Sequence, residues 1–85
     1  MINKETIKNK IRQILVEEIL LPYKIDEIKT DQSLIKQYGI DSIQLMELIV
    51  CLEDEYQVSF EEENLDIFVL NSVDSIANFI VNRQK

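Results

Sequence analysis

Residues 39–56 read GIDSIQLMELIVCLEDEY and contain the clearest secondary-structure signal of the chain. Neither glycine nor proline occurs between Ser42 and Phe60. Asp41 is a residue type that commonly caps the N-terminus of a helix. Apolar residues then recur at spacings of three and four, as they do along the face of an amphipathic helix. We therefore predict a helix over residues 42–56.

This predicted helix carries two apolar stripes when its residues are wound at about 100° each. The wider stripe suits burial against other helices and comprises Leu45, Leu48, Ile49, Leu52 and Tyr56. The narrower stripe comprises Ile43, Met46 and Val50, with Glu47, Glu53 and Asp54 beside it. An apolar strip edged by acids is typical of a surface that binds another protein. The alternative is that the narrower stripe packs under a short apolar segment, residues 65–70.

A first helix and a long connection precede this one. Residues 3–21 have helical apolar spacing, and Pro22 is expected to end the helix because proline cannot continue a helix interior. The apolar positions of the first helix are Ile7, Ile11, Ile14, Leu15 and Ile19. Residues 22–40 show no long periodicity and are expected to pack across the helices as a loop. The apolar anchors of this loop are Ile25, Ile28, Leu34 and Ile35.

The C-terminal third is predicted to hold a short element and a last helix. The apolar run at residues 65–70 fits one or two helical turns or a strand. Ser72 is of a type that caps helices, which predicts a helix over residues 73–83. The inward positions of this helix are Val73, Ile76, Ala77, Phe79 and Ile80. One glycine and one proline are too few for a sheet with tight turns, so we predict an all-α single domain over residues 1–85.

Composition and charge exclude several classes of function. Sixteen acidic against nine basic residues give a net charge of −7, so nucleic-acid binding is not expected. No apolar stretch approaches the length of about 18 residues that spans a membrane. The absence of histidine and the single cysteine remove the usual zinc sites and histidine-based triads, and they favour a reducing cytoplasm. We expect a cytoplasmic protein that is not an enzyme, and Met1 and the short tails favour a whole protein.

The negative charge is concentrated in one segment. Residues 41–66 contain nine acidic residues and no basic one. Because like charges this dense repel one another and lower stability, we expect them to serve a basic partner surface. A divalent cation is the alternative, but residues 61–63, three consecutive glutamates, lack the alternating ligands and central glycine of a calcium loop. We therefore expect no specific metal site.

The pentapeptide Gly39-Ile40-Asp41-Ser42-Ile43 and the acidic helix that follows it resemble the acyl carrier protein family. The family pattern is Gly-x-Asp-Ser-Leu/Ile at the start of an acidic second helix, and the resemblance covers essentially the whole chain. It implies an acyl-carrier-like four-helix bundle with three main helices, a short third helix and a long loop between helices 1 and 2. It also implies that Ser42 receives 4′-phosphopantetheine from coenzyme A, with Asp41 and Gly39 beside the attachment site.

The physical chemistry of a helix start agrees with this assignment. A hydroxyl in the first turn of a helix is exposed, and the unpaired N–H groups and positive dipole end favour a phosphate there. The tripeptide Asp74-Ser75-Ile76 repeats the Asp-Ser-Ile motif, but no glycine precedes it and no acidic, leucine-rich helix follows. We expect Ser75 to face solvent in the first turn of the last helix and to remain unmodified.

The resemblance also implies how partners are recognised. The apolar contact positions are Ile43, Met46 and Val50, and the acidic ones are Glu47, Glu53, Asp54 and Glu55. The partners are a phosphopantetheinyl transferase and enzymes that load, extend or transfer acyl groups through basic docking patches. Such contacts are transient because a carrier visits several enzymes in turn. The chain itself is expected to be a monomer.

The pathway and the cargo stay open. Gln44 stands where carriers of fatty-acid synthesis usually have aspartate, Ile43 stands where they usually have leucine, and the segment 60–70 is slightly longer. These departures favour a specialised polyketide, nonribosomal-peptide or modified-lipid pathway over standard fatty-acid biosynthesis. An aminoacyl or peptidyl carrier is the alternative, and an unmodified acidic helical adaptor is the alternative of a different class.

The remaining candidates are expected to be structural. Cys51 lies at the edge of the second helix among acidic residues, which oppose a thiolate, so we expect it to be a packing residue. The core is predicted to include Leu45, Leu48, Leu52, Phe60, Phe68, Ile76 and Phe79. These side chains either enclose an acyl chain or simply pack against each other, and the sequence leaves both readings open.

Overall fold

The computed structural model describes residues 3–60 and 72–83, and the regular structure of these two ranges is entirely helical. The elements are α1 (Lys4–Glu17), a 3-10 turn (Ile25–Glu27), α2 (Leu34–Tyr38), α3 (Ser42–Tyr56) and α4 (Val73–Arg83). The predicted all-α fold is confirmed, and α3 and α4 have the predicted bounds. The short element expected at residues 65–70 and the predicted core residue Phe68 lie outside the described residues.

The core forms where α1 packs against α3 and α4. Its fully buried side chains include Ile7, Ile11, Leu15, Leu45, Leu48, Leu52, Ile76 and Ile80. The predicted inward faces of α3 and α4 are confirmed, except that Tyr56 and Phe79 are half-buried. Phe79 stacks on Phe60 with ring centroids 4.4 Å apart. The core of the described part therefore centres on three helices, and buried side chains of the long connection, such as Ile28 and Leu34, pack against them.

The first helix ends earlier than its apolar spacing predicts. It ends at Glu17, so Pro22 is not what ends it. Leu20 adopts a left-handed backbone conformation, with φ of 66°, and the N–H of Leu21 donates to the carbonyl of Leu15 at 3.0 Å. This turn buries Leu21 and leaves Leu20 exposed. The predicted boundary is wrong because the chain reverses to place Leu21 in the core.

The long connection contains a short helix that the sequence analysis did not predict. The side chain of Ser33 accepts the N–H of Lys36 at 3.1 Å and caps the start of α2. Gly39, with φ of 71°, ends this helix in the left-handed conformation. A helix of five residues is too short to show periodicity, but the serine and the glycine are recognisable cap signals.

The loop anchors are partly as predicted. Ile28 and Leu34 are buried, as expected. Ile25 is 39% exposed, so its assignment as an anchor is wrong. Tyr38 anchors the connection instead, because its ring is buried and its hydroxyl accepts the N–H of Lys29 at 2.6 Å. The buried tyrosine thus satisfies a loop amide and ties α2 to the preceding turn.

An ion pair connects α1 with the first turn of α4. The Nζ of Lys8 lies 3.0 Å from Oδ1 of Asp74, and the Nζ of Lys4 lies 3.5 Å from the same oxygen. The N–H of Asp74 donates to the carbonyl of Thr30 at 2.8 Å. Hydrogen bonding to Lys8 lowers the pKa of the Asp74 carboxyl and raises that of the Lys8 amine. Asp74 therefore joins α1, α4 and the long connection.

Replacing Asp74 with asparagine should destabilise the fold at neutral pH. The pKa of this carboxyl in the fold is below its ordinary 3.8, so the pair stabilises the protein above that pH. The contribution is lost as the pH falls through the lower folded value. Urea unfolding should show a difference between wild type and variant at pH 7 that shrinks at strongly acid pH. Asp31→Asn, a change at an exposed loop carboxylate, is the control; a difference that does not depend on pH would contradict the role of the ion pair.

Candidate functional site

The start of α3 is fixed by a reciprocal capping arrangement. Oδ1 of Asp41 accepts the N–H of Gln44 at 2.7 Å, and Oε1 of Gln44 accepts the N–H of Asp41 at 3.0 Å. The two side chains together satisfy amide groups that a helix start leaves without partners. Ser42 is consequently held as the first residue of α3, as predicted. Gln44, which departs from the fatty-acid pattern, is the second partner of this cap.

Gly39 shapes the approach to this helix start. Its φ of 71° lies in the left-handed region, which glycine adopts without steric cost. A Cβ built on Gly39 would have no neighbour within 4 Å. The backbone conformation, and not lack of space, is therefore what favours glycine here. Ile40 follows and is buried, which anchors the chain immediately before Asp41.

Gly39→Ala should destabilise the protein by about 1 kcal/mol, because an L-residue with a Cβ is strained in the left-handed region. Equilibrium urea unfolding measures this loss. Gly39→Asn is the matched comparison, since asparagine tolerates that region better than alanine does. Equal stability of the alanine variant and the wild type would contradict the assigned conformation.

Ser42 is exposed at the N-terminus of α3. The first amides of a helix have no intrahelical acceptor, and the positive end of the helix dipole favours an anion. Oδ1 of the preceding residue, Asp41, accepts a helix N–H, and the sequence has no histidine. The arrangement can therefore present a hydroxyl and accommodate an attached phosphate group.

Ser75, in the second Asp-Ser-Ile motif, has a different environment. It is half-buried, its N–H donates to Oγ of Ser72 at 3.1 Å, and the two hydroxyls are 2.9 Å apart. The prediction that Ser72 caps α4 is confirmed. The expectation that Ser75 simply faces solvent is wrong, because its hydroxyl bonds to the capping serine. Asp74 likewise has a structural role, in the ion pair with Lys8.

The narrower apolar stripe of α3 is exposed, as predicted. Ile43 is 70% exposed, Met46 47% and Val50 57%. These side chains line a groove of about 470 Å³. The other lining residues are Glu18, Ile19, Glu47 and Cys51. Glu18 and Ile19 directly follow α1, and the sequence analysis missed them as groove residues because their position depends on how α1 packs against α3.

The predicted acidic positions are not equivalent in the structure. Glu47 and Asp54 are exposed. Glu55 is exposed as well, and its Oε1 lies 3.9 Å from the Nζ of Lys10. Glu53 is half-buried, and its Oε2 accepts the N–H of Phe60 at 2.8 Å. Glu47 and Asp54 are therefore the carboxylates most available to a partner, whereas Glu53 also holds the chain that leaves α3.

Cys51 is half-buried beside this groove. Burial raises the pKa of its thiol, and the carboxylates of Glu18, Glu47 and Asp54 raise it further. The thiol therefore stays protonated at neutral pH, which supports the prediction that it packs. In residues 3–60 and 72–83, no three carboxylate or cysteine side chains form a group that could hold a metal ion. The three consecutive glutamates lie outside these ranges.

A family model described as the phosphopantetheine attachment site matches residues 9–80. This range contains the Gly39–Ile43 motif, α3 and the groove. Within the described part of the chain, none of the helices is long and apolar enough to cross a membrane.

Proposed function

We propose, from the premise that the chain belongs to the phosphopantetheine-binding carrier family, that it is an acyl carrier protein whose arm is attached to Ser42. Carriers of this family are not enzymes, and their covalently attached 4′-phosphopantetheine supplies a thiol that holds the cargo as a thioester. The main support for attachment at Ser42 is that this residue is exposed at the capped start of α3. The other serine in an Asp-Ser-Ile motif is hydrogen-bonded within the fold.

The residues around Ser42 present the attachment point. Its Oγ would form the phosphodiester bond with the phosphate of coenzyme A that bears pantetheine, as the pyrophosphate bond breaks, adenosine 3′,5′-bisphosphate leaves and the hydroxyl loses its proton. Asp41 and Gln44 hold the helix start, and Gly39 turns the chain into it. The N–H groups of the first turn would face the phosphate, which suits their partial positive charge. A phosphopantetheinyl transferase would catalyse the attachment, in keeping with the family of the chain.

The exposed face of α3 is the proposed docking surface for this transferase and for the enzymes that load, extend or transfer the cargo. Its apolar positions are Ile43, Met46 and Val50, and its acidic positions are Glu47, Glu53, Asp54 and Glu55. Glu47 and Asp54 are the main acidic contacts, because both are exposed and neither forms an ion pair among the described residues, whereas Glu55 lies near Lys10. Basic patches on the partners would complement them, and contacts of this kind form and dissociate quickly. The proposed carrier works as a cytoplasmic monomer of one domain over residues 1–85.

We further propose an acyl cargo in a fatty-acid, polyketide or related specialised pathway. Gln44 favours the specialised systems, since a neutral side chain completes the cap at a position where fatty-acid carriers usually have an acid. Because Gln44 departs from the pattern of fatty-acid carriers, an aminoacyl or peptidyl carrier is the second candidate.

Loading of the modified chain tests the type of cargo. The chain bearing its arm is incubated with ATP and either a fatty acid with an acyl-activating enzyme or an amino acid with adenylating enzymes. Mass spectrometry then reports which group is attached as a thioester. Acyl loading alone supports the proposal. Aminoacyl loading alone would replace it with the second candidate, and the Ser42→Ala variant controls for attachment elsewhere.

A further inference from the structure

The first turn of α3 lacks the acidic residue that the other two long helices carry there. Glu5 lies in the first turn of α1 and Asp74 in that of α4, whereas no acid follows the capping Asp41 in the first turn of α3. Residues 41–66 nevertheless contain nine acidic and no basic residues, and a carboxylate near a helix N-terminus is stabilising. The next acid is Glu47. A neutral first turn in so acidic a segment is explained if another negative group lies beside it.

Gln44 stands in the cap where an acid would serve equally well. Its Oε1 accepts the N–H of Asp41 at 3.0 Å, and its own N–H donates to Oδ1 of Asp41 at 2.7 Å. Glutamate closes the same reciprocal cap as glutamine does. The hydrogen bonds of the helix start therefore do not require a neutral side chain, and charge is what distinguishes Gln44 from a glutamate at this position.

The cap also determines which amides of the helix start stay unpaired. The N–H groups of Asp41 and Gln44 are paired, and the N–H of Leu45 donates to the carbonyl of Asp41 at 3.0 Å. Within the described part of the chain, the N–H groups of Ser42 and Ile43 have no protein acceptor. These two amides belong to the positive end of the helix dipole and adjoin the hydroxyl of Ser42.

We infer that Gln44 is a positioning residue for a phosphate attached to Ser42. Its neutral side chain closes the cap, leaves the N–H groups of Ser42 and Ile43 to the phosphate, and adds no second carboxylate to that of Asp41. The inference rests on the proposed attachment at Ser42. It goes beyond that function by naming the two amides that receive the phosphate and the residue whose neutrality avoids repulsion of it.

Amide hydrogen exchange, followed by NMR on the wild-type chain before and after attachment of the arm, tests which amides receive the phosphate. The amides of Ser42 and Ile43 should exchange about threefold more slowly after attachment, because each gains a charge-assisted hydrogen bond. Those of Asp41 and Gln44 are already paired, so they should change less and control for the added charge. Unchanged exchange at Ser42 and Ile43, or equal slowing at all four amides, would overturn the inference.

Gln44→Glu separates positioning from capping. Before attachment, the variant should be at least as stable in urea as the wild type, because glutamate also closes the cap and suits the helix dipole. Attachment of the arm should then change the folding equilibrium constant about threefold less favourably in the variant, because the phosphate and the new carboxylate repel each other. This difference should shrink at high salt.

Gln37→Glu is the matched control, because it makes the same change of charge at an exposed glutamine of α2. In this variant, attachment should change the stability as it does in the wild type. If attachment had the same effect in the Gln44 variant and the wild type, or if both variants differed equally from the wild type, the inference would be wrong. A folded wild-type chain that accepts no arm would contradict the attachment at Ser42 itself. Normal attachment without the expected difference would contradict only the role of Gln44.

Discussion

Replacing Ser42 with alanine should abolish attachment of the arm completely, because the substitution removes the only oxygen proposed to form the phosphodiester bond. The fold should not change, since Asp41 and Gln44 cap α3 independently of the Ser42 side chain. Incubation with the transferase and a fluorescent coenzyme A, followed by electrophoresis, measures attachment. Circular dichroism and urea unfolding verify that the variant is folded.

Ser75→Ala is the internal control, because it changes the serine of the second Asp-Ser-Ile motif. This variant should accept the arm at the wild-type rate. It should lose about 1 kcal/mol of stability, because the hydrogen bond between the hydroxyls of Ser75 and Ser72 is removed. Labelling of the Ser42 variant, or loss of labelling in the folded Ser75 variant, would contradict the assignment.

Reversing the charges of Glu47 and Asp54 together should produce the second large effect. Substitution of both by lysine should raise KM for the transferase about tenfold at low salt, since acidic side chains on a docking face steer and orient a basic partner. The dependence of KM on salt should become weaker. Helicity should be unchanged, because neither carboxylate forms an ion pair among the described residues.

The matched control for this double variant is Asp26→Lys with Asp31→Lys. Both residues are exposed carboxylates of the long connection, so the net charge of the chain changes by the same amount. This control should leave KM within about twofold of wild type. An equal rise in the two double variants would mean that net charge, and not the face of α3, governs the encounter.

The parts of the structure that could be predicted are those encoded by local signals. A capping aspartate, apolar spacing and the absence of glycine and proline were enough to define α3 and its exposed stripe. The capping residue Ser72 and the apolar positions after it likewise predicted α4. Ser42, the proposed attachment serine, is distinguishable from Ser75 because the residues around the two motifs differ in the sequence itself.

The parts that could not be predicted depend on tertiary packing. Apolar spacing continues through Ile19, so nothing local shows that α1 ends at Glu17 and that Leu20 takes a left-handed conformation. Glu18 lines the groove only because α1 packs beside α3, and this packing is not visible in the sequence. Tyr38 was missed as an anchor because the burial of a tyrosine depends on a partner for its hydroxyl, here the amide of Lys29.

Attachment of a phosphopantetheine arm to Ser42 can be tested by measuring the intact mass of the wild-type chain. The chain is incubated with coenzyme A and the broad-specificity transferase, and fragmentation locates any added group. We predict a gain of one phosphopantetheine, located at Ser42. A folded chain that gains no mass, or that gains the group at another residue, would contradict the claim.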